Sequence, residues 1–313
     1  MKIAVNTSIS IGDLNFSGLE KLGELVFFRD PSTEELIKAA ADCDAIMINK
    51  EQITEEVLAA CPKVKYIGVF ATGYNVVDLE ACRRHGVTVT NVPGYSTNSV
   101  AQHVFALILA IYDKIREYTD SVDAGDWVRS RTFNYFPWAT YELNGKTLGI
   151  LGYGSIGKAV AKIADAFGMN VVISTRTPPK GCPYKVVNFE ELLRVSDILT
   201  LHCPLNAGTN KIINEHSLSL MKDGAVLINT ARGGLIDEGA VKAALESGKL
   251  AAAGVDVVTV EPMLADNPLL NAKNCLITPH IAWCPLEARQ RLLEIAVDNL
   301  KGFIEGKPIN VVS

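Results

Sequence analysis

Short apolar runs alternate with segments of helical periodicity along the first third of the chain. The runs at residues 2–5, 45–49, 66–70 and 88–91 have the length and composition of buried strands, and residues 33–43 have the spacing of a helix. Strands that alternate with helices in this way form βαβ units, in which neighbouring strands run parallel. The pattern therefore predicts a parallel sheet in this part of the chain.

A second series of the same kind begins near Lys146. Its predicted strands lie at residues 147–152, 170–174, 198–201, 225–229, 254–257 and 275–278. Parallel strands with intervening helices are typical of a doubly wound sheet. We therefore predict an α/β fold class, with two Rossmann-like, doubly wound parallel-sheet domains and a cleft between them.

The last helical pattern sets the predicted domain boundaries. At 313 residues the chain is long enough for two domains of about 100 to 200 residues each. We expect the helix near residues 285–305 to return to the first domain, which then comprises residues 1–98 and 286–313 and has a flavodoxin-like fold. Residues 99–285 form the predicted dinucleotide-binding Rossmann domain.

Residues 118–143 interrupt the alternation and hold seven aromatic side chains in a segment that we expect to be irregular. So many aromatic rings need a surface to bury them. Two interpretations remain open from these residues alone. The segment is either a loop packed against its own domain or an arm that packs against a second subunit.

Composition and charge narrow the classes of partner. Hydrophobic residues make up 48% of the chain and charged residues 21%, an ordinary globular balance. The net charge of −5 disfavours nucleic acid or an anionic membrane surface, so a small molecule is expected. The most apolar run, Val100–Tyr112, is too short to span a bilayer and is expected to be a buried helix.

Seven cysteines are scattered without CxxC spacing, and their odd number does not suit a fully paired disulfide framework. This usage favours a reducing compartment. The first residues, MKIAVNTSI, read as a strand rather than as a signal peptide, so a cytoplasmic location is expected. No spacing of histidine, cysteine and carboxylate residues resembles a ligand set, so no metal is expected.

The motif GYGSIG follows the apolar run TLGIL and begins a helical pattern. Gly152 permits a tight turn, Gly154 lets the backbone approach a pyrophosphate, and Gly157 permits close packing of the helix on the strand. The helix N-terminus, at Ser155 and Ile156, favours the phosphate charge. A strand, this motif and a helix in succession predict a dinucleotide site with these five residues as contacts.

The predicted ribose contact departs from the pattern typical of NAD sites. After the next strand the chain reads Ser174-Thr175-Arg176, with no Asp or Glu for the ribose hydroxyls. Arg176 is expected to bind the 2′-phosphate of NADP, with Thr175 beside it, so NADP is favoured over NAD. Alternatively, Arg176 is a solvated residue that stacks on adenine, and the protein accepts both cofactors.

Three reactive side chains follow later predicted strands. In a doubly wound sheet the carboxyl ends of the strands line one crevice, so residues distant in sequence converge there. A 2-keto acid needs a fork for its carboxylate, a proton donor for its carbonyl and a group that keeps the donor charged. Arg232, His280 and Glu261 supply these three chemistries.

The runs VLINTARGGLIDEGAV, AAGVDVVTVEP and LITPHIAW resemble the D-isomer-specific 2-hydroxyacid dehydrogenase family, and the similarity extends from GVFATGYNVVDL through the last helix. The runs ATGYNVVDL, SVAQHVFALIL and HIAWCPLEARQRL are most similar to its glycerate dehydrogenase or hydroxypyruvate reductase branch. The resemblance implies a nicotinamide-dependent enzyme that interconverts a small 2-keto acid, hydroxypyruvate or glyoxylate, and the D-2-hydroxy acid, D-glycerate or glycolate.

The resemblance also implies roles for substrate-binding and catalytic residues. Arg232 would bind the substrate carboxylate and carbonyl, Glu261 would pair with the acid, and His280 would donate or accept the proton. Thr72 and Gly73 would add backbone donors for the carboxylate.

Further cofactor contacts and a dimer follow from the same resemblance. Asp256 would hold the nicotinamide carboxamide, and Thr230 and Ala231 would flank the nicotinamide ring. A homodimer would form through the arm at residues 118–143. The loop near the adenosine would include His202, Cys203 and Pro204.

Two positions depart from the family pattern: Gln102 stands where many members carry Glu, and Thr175 replaces the usual acidic ribose ligand. Two rivals remain open, a cofactor-sensing binding protein on the same scaffold and a related dehydrogenase for another small anion such as phosphite. The intact acid, fork and pairing carboxylate favour the enzyme. His85, His103 and His216 match no catalytic motif and are expected to be structural or surface residues.

Overall fold

A computed structural model describes residues 1–8 and 11–313 of the protein. The chain forms two compact units: unit 1 contains residues 1–96 and 284–313, and unit 2 contains residues 97–283. These units describe packing alone. The domain boundaries expected from the sequence also describe folding and function, so they stay predictions.

Strands and helices alternate in both units. The strands are β1 (Lys2–Asn6), β2 (Glu24–Phe28), β3 (Ala45–Ile48), β4 (Tyr66–Val69), β5 (Thr88–Thr90), β6 (Thr147–Leu151), β7 (Asn170–Ser174), β8 (Lys185–Val186), β9 (Ile198–Leu201), β10 (Ala225–Asn229), β11 (Leu250–Val255) and β12 (Cys275–Ile277). The helices are α1 (Ser17–Glu20), α2 (Thr33–Ala40), α3 (Glu55–Ala60), α4 (Leu79–Arg84), α5 (Thr97–Asp113), α6 (Ile115–Asp123), α7 (Asp126–Arg129), α8 (Ser155–Ala166), α9 (Phe189–Val195), α10 (Glu215–Leu220), α11 (Glu238–Ser247) and α12 (Leu286–Ile304).

Unit 1 is built on five parallel strands in the order β2, β1, β3, β4, β5. Every residue of β3 and β4 is buried, as expected for parallel strands that helices cover on both faces. Leu36 of α2 and Leu58 of α3 pack with Ile46 and Ile67 in this core. The apolar runs of the sequence therefore mark the central strands of the sheet.

Unit 2 is built on seven parallel strands in the order β12, β11, β10, β9, β6, β7, β8. The chain leaves β6 toward β7 and β8 and then continues on the other side of β6 with β9, so the strand order reverses between β6 and β9. Ligands of doubly wound sheets bind at the carboxyl ends of the strands near such a reversal. The two parallel sheets confirm the predicted α/β class with two doubly wound domains.

One strand of unit 2 is longer than predicted. β11 begins at Leu250, four residues before the expected start at Gly254. The added residues read Leu-Ala-Ala-Ala, a composition with high helix propensity. They form a strand because β10 pairs with them in parallel register, which overrides the local preference.

The aromatic segment at residues 118–143 is partly helical, so the expectation of an irregular segment is wrong for its first half. α6 is supported by the i,i+4 pair of Arg116 and Asp120, whose charged atoms lie 3.7 Å apart. Beyond Arg129 the segment has no regular secondary structure up to residue 146. The run at Val100–Tyr112 lies within α5, and none of the helices described is long and apolar enough to cross a membrane.

Candidate active site

The glycine motif connects β6 to α8 at the strand reversal. Gly152 has φ of 95°, and a Cβ there would lie 2.6 Å from the backbone nitrogen of Cys203. A Cβ on Gly157 would lie 2.4 Å from the carbonyl oxygen of Gly152. These two glycines are therefore required by the packing of the protein itself.

Gly154 is different, because a Cβ there would meet no protein atom within 4 Å. Packing within unit 2 gives no reason for a glycine at this position, whereas the close approach of a phosphate does. Gly154 is the N-cap of α8, whose first turn starts with Ser155 and Ile156 and holds no acidic residue. The free backbone N–H groups of a helix N-terminus favour an anion there.

A buried hydroxyl near the middle of the sheet also fits a cofactor. Thr230 follows β10 directly, and its Oγ1 is buried without a hydrogen-bond partner among the residues described. Buried polar atoms are rarely left unpaired in folded proteins. Together with the open space at Gly154, this hydroxyl makes the arrangement suitable for a dinucleotide.

Thr175 and Arg176 follow β7 at the same edge. The backbone nitrogen of Gly152 donates to the carbonyl oxygen of Ser174 over 2.8 Å, which places the end of β7 beside the glycine motif. Arg176 is exposed and forms no ion pair with any described residue. Its guanidinium is therefore available for an external anion.

His202 and Cys203 begin the loop after β9, followed by Pro204. The His202 ring lies 2.9 Å from Thr200 Oγ1, and burial lowers the pKa of His202 to about 3. Burial raises the pKa of the Cys203 thiol. The histidine is therefore neutral and the cysteine protonated near neutral pH, so this loop offers neither a cation nor a thiolate nucleophile.

The turn that carries Arg232 is shaped by Asn229, the last residue of β10. The Asn229 side chain is fully buried, accepts from the Ala231 nitrogen over 3.1 Å and donates to the Arg232 carbonyl over 2.9 Å. The Arg232 side chain is exposed, and its Nη1 donates to the Ala231 carbonyl over 2.7 Å. Sequence reasoning gave Asn229 no role, although an amide side chain at a strand end is a typical turn residue.

Gly233 brings the Arg232 turn close to the loop of Glu261. A Cβ on Gly233 would lie 1.9 Å from the backbone carbon of Val258, so only glycine permits this approach. Val258 in turn donates its N–H to Glu261 Oε1 over 3.2 Å. The Arg232 turn and the carboxylate of Glu261 are thus held together through backbone packing.

Glu261 and His280 form the predicted pair. His280 Nδ1 lies 2.6 Å from Glu261 Oε2, and about a third of each side chain is exposed. With Nδ1 engaged, Nε2 of the ring is left for another partner. The backbone of His280 has φ of 54°, a left-handed conformation that is uncommon outside glycine and clusters at functional sites.

Asp256 lies beneath the His280 loop and is 1% exposed. Its carboxylate accepts from Thr278 Oγ1 over 2.6 Å and from the backbone nitrogens of Ile281 and Ala282, each over 2.9 Å. These contacts occupy much of the carboxylate with the protein's own donors. A contact from Asp256 to the nicotinamide carboxamide stays a prediction.

His103 of α5 lies close to Thr278 and Asp256. Its Nε2 lies 2.9 Å from Thr278 Oγ1 and 3.5 Å from Asp256 Oδ1. Sequence reasoning missed this contact because 175 residues separate His103 from Thr278 and the two residues do not share a motif.

Thr72 and Gly73 lie in unit 1, in the loop after β4. Thr72 Oγ1 donates to the Val92 carbonyl over 2.9 Å, and the Asn91 side chain donates to the Thr72 carbonyl over 2.7 Å. The Thr72 side chain therefore braces its own loop. A role of the backbone N–H groups in substrate binding stays a prediction.

Comparison with known proteins places the chain in a family. The model of the D-isomer specific 2-hydroxyacid dehydrogenase NAD binding domain matches residues 105–282. A hydroxypyruvate reductase of Blautia hydrogenotrophica is 44% identical over 323 aligned positions that cover 100% of both chains. A glycerate dehydrogenase of Methylorubrum extorquens is 43% identical and covers 89% of this chain and 88% of its own. The crystal structure of the TT0316 protein from Thermus thermophilus has 36% identity and a TM-score of 0.91, with 100% of both chains covered.

The chain therefore belongs to the D-isomer-specific 2-hydroxyacid dehydrogenase family. It is an oxidoreductase that uses a nicotinamide cofactor to interconvert a 2-keto acid and a 2-hydroxy acid. Within the family it falls in the glycerate dehydrogenase and hydroxypyruvate reductase branch, as its sequence motifs predicted.

Proposed function

We propose that the protein reduces hydroxypyruvate to D-glycerate, and glyoxylate to glycolate, with NADPH preferred over NADH and His280 as the proton donor. The observation that carries the proposal is the contact of 2.6 Å between His280 Nδ1 and Glu261 Oε2, in the loop held against the Arg232 turn. The activities named for the two relatives supply the substrate class. In the reverse direction the neutral His280 ring is the base.

Each of the three residues has one task. Arg232 binds the substrate carboxylate with the guanidinium N–H groups that the Ala231 carbonyl leaves free. The cofactor, when bound, supplies a hydride to the carbonyl carbon. His280 Nε2 donates its proton to the carbonyl oxygen as negative charge develops there. Glu261 accepts from Nδ1 and orients the ring.

The loop of Thr72 and Gly73 is proposed to add backbone N–H donors to the substrate carboxylate. Its bracing by Asn91 and Val92 supports this role, because a fixed loop keeps its N–H groups in one direction.

Arg176 is proposed to select NADPH. Its exposed guanidinium follows the end of β7, where NAD-specific sites carry a carboxylate that would repel a 2′-phosphate. The proposed cofactor contacts are completed by the glycine motif, Thr175, Thr230, Ala231, Asp256, and the loop of His202, Cys203 and Pro204.

The arm at residues 118–143 is proposed to join two copies into a homodimer. Trp127 Nε1 donates to the Phe133 carbonyl over 2.9 Å, and Tyr118 donates its hydroxyl to the Trp138 carbonyl over 2.6 Å. These two polar groups are bonded within the arm. The Phe133 ring, in contrast, remains 89% exposed and Phe136 72% exposed. Such rings need a partner surface.

All seven cysteines are free, which supports a cytoplasmic location.

Steady-state assays with a panel of 2-keto acids and both reduced cofactors test the proposal. We expect the highest kcat/KM with hydroxypyruvate and NADPH, and a product of D configuration. His280→Ala and Arg232→Lys are expected to lower kcat/KM by about a hundredfold or more, and Glu261→Gln by less. Cofactor affinity, measured by fluorescence titration, is expected to change little.

Two outcomes would contradict the proposal. Cofactor binding without turnover of any 2-keto acid would indicate a sensing protein on this scaffold. Efficient oxidation of phosphite with no reduction of 2-keto acids would indicate a dehydrogenase for another anion. Near-normal turnover in His280→Ala would remove the assigned proton donor.

A further inference from the structure

A buried hydrogen-bond network holds the loop that carries His280. Besides the carboxylate contacts described above, the His280 backbone nitrogen donates to the Asp256 carbonyl oxygen over 2.8 Å. The loop therefore depends on Asp256 through both its side chain and its backbone. The position of the His280 ring depends in turn on how firmly Asp256 and Thr278 are held.

The direction of each hydrogen bond follows from the number of protons. Thr278 Oγ1 has a single proton, which it donates to Asp256 Oδ1 over 2.6 Å. The Thr278 hydroxyl oxygen is then an acceptor for His103, so His103 carries its proton on Nε2 and donates over 2.9 Å. The result is a continuous chain from His103 through Thr278 to Asp256.

His103 is carried by a helix that is fixed against the sheet. A Cβ on Gly254 would lie 3.1 Å from Leu107 Cβ, so α5 packs directly on β11 at this glycine. His103 lies one helical turn before Leu107, and Asp256 lies two residues after Gly254. Close packing at Gly254 thus sets the position of the His103 ring over the end of β11.

The contact is also electrostatic. Asp256 is 1% exposed, and among the residues described no lysine or arginine pairs with it. The N–H group at His103 Nε2, 3.5 Å from Asp256 Oδ1, faces this buried carboxylate. Removal of His103 would leave the Thr278 oxygen without this donor and the carboxylate without this neighbouring N–H group.

We propose that His103 is a positioning residue for the reaction, which holds the His280 loop in its productive geometry through Thr278 and Asp256. This inference rests on the proposed role of His280 as proton donor. The hydrogen bond and the close approach described for His103 are to Thr278 and Asp256. Its proposed effect is therefore on where the His280 ring lies and not on the chemistry of the proton.

The test compares variants that remove or keep the donor. His103→Phe keeps a planar ring without a donor, and His103→Gln keeps a donor. Because misplacement of a reacting group by about 1 Å can lower a rate about a hundredfold, we expect His103→Phe to lower kcat by about ten- to a hundredfold. His103→Gln is expected to recover most of this loss. NADPH affinity by fluorescence titration is expected to stay within about twofold of wild type in both.

Thr278 supplies a second pair. Thr278→Val removes the hydroxyl that links His103 to Asp256, whereas Thr278→Ser keeps it. We expect Thr278→Val to lower kcat as His103→Phe does, and the double variant His103→Phe/Thr278→Val to show little further loss, because both break one chain. His216→Gln, at an exposed position of α10, is the matched control and is expected to behave as wild type.

The outcomes separate the two hypotheses. If His280→Ala retains turnover, the proposed function itself is wrong. If His280→Ala is inactive but His103→Phe keeps kcat within about twofold of wild type, the positioning role is wrong. A purely structural role is indicated if His103→Phe lowers the melting temperature and NADPH affinity together with kcat, and His103→Gln and Thr278→Ser fail to restore activity. That result too would overturn the proposal.

Discussion

Single side chains in this protein serve either the ligands or the backbone around them. Arg176 is proposed to be of the first kind, since it is exposed, forms no ion pair among the residues described and follows the end of β7. NAD-specific sites carry their ribose ligand at this place. Asn229 is an example of the second, since both of its hydrogen bonds go to the turn of Arg232. Substitutions of the two kinds should therefore affect different measurements.

Arg176→Ala is expected to raise KM for NADPH about ten- to a hundredfold and to leave KM for NADH nearly unchanged. The reason is the loss of a charged hydrogen bond to the 2′-phosphate, about 1.5 to 3 kcal/mol. Lys180→Ala, in the same loop, is the control for a general loss of positive charge. An equal rise in KM for both cofactors would show that Arg176 does not bind the 2′-phosphate.

His202 predicts a pH dependence of stability. Burial lowers its pKa from 6.5 to about 3, so the folded protein keeps the ring neutral while the unfolded chain binds a proton below pH 6.5. The contribution of the neutral His202 ring to the free energy of unfolding is fully present above pH 6.5. It is lost as the pH falls toward 3, by up to about 1.4 kcal/mol per pH unit.

We expect His202→Gln to flatten the fall in the free energy of unfolding from pH 6.5 to 5 relative to wild type, as measured by urea titration at several pH values. The amide of glutamine keeps a donor for Thr200 but does not titrate. His216→Gln, at an exposed site, is expected to leave the slope unchanged. Parallel pH profiles for His202→Gln and wild type would contradict the assignment.

At the scale of elements, Gly154 at the start of α8 and Gly157 within its first turn have different tasks. Gly154→Ala is expected to leave the melting temperature without cofactor unchanged or slightly raised, because no protein atom lies within 4 Å of the new Cβ. It is expected to weaken NADPH binding about tenfold or more, because the methyl group occupies the proposed phosphate position.

Gly157→Ala is the comparison for packing within the protein, and it is expected to destabilise the protein without cofactor. Its Cβ would lie 2.4 Å from the Gly152 carbonyl oxygen, so it should lower the free energy of unfolding by about 1 to 3 kcal/mol. Thermal unfolding and fluorescence titration distinguish the two variants. Normal NADPH affinity in Gly154→Ala would contradict the phosphate role of this turn.

The sequence predicted elements best where one local pattern decided them. Central strands such as β3 and β4 are buried at every residue, so their apolar runs are unbroken. β2, an edge strand that is only partly buried, was not predicted, and the start of β11 was set by its pairing with β10 rather than by its own residues. Pairing between distant strands is not visible in a single sequence.

The same limit applies to the site. Arg232, Glu261 and His280 lie in short motifs and could be named from the sequence, and the structure places Glu261 and His280 in contact. The contact of His103 with Thr278 depends on how α5 packs on β11, which no local pattern records. The contact between two motif residues could thus be predicted, whereas the contact that depends on the packing of α5 on β11 could not.

The whole molecule is expected to be a dimer. Phe133 and Phe136 are 89% and 72% exposed, and burial of one such ring contributes about 1.5 to 3 kcal/mol to an interface. Phe133→Asp combined with Phe136→Asp is expected to shift the protein from dimer to monomer in sedimentation or light-scattering measurements. Leu270→Asp, at an exposed position outside the arm, is the control. A wild-type protein that is monomeric at micromolar concentration would remove the arm's proposed role.

The strand that precedes the His280 loop has a consequence for how activity is lost. β12 is three residues long and lies at the edge of its sheet, where β11 is its one partner among the strands described. It is partly exposed along its length. Short edge segments open in local fluctuations long before a domain unfolds. In rising urea we therefore expect turnover to vanish, reversibly, while circular dichroism still reports a native fold. Amide protons of β12 should exchange faster than those of β10, so the enzyme is inactivated by the fraying of one strand rather than by the melting of its core.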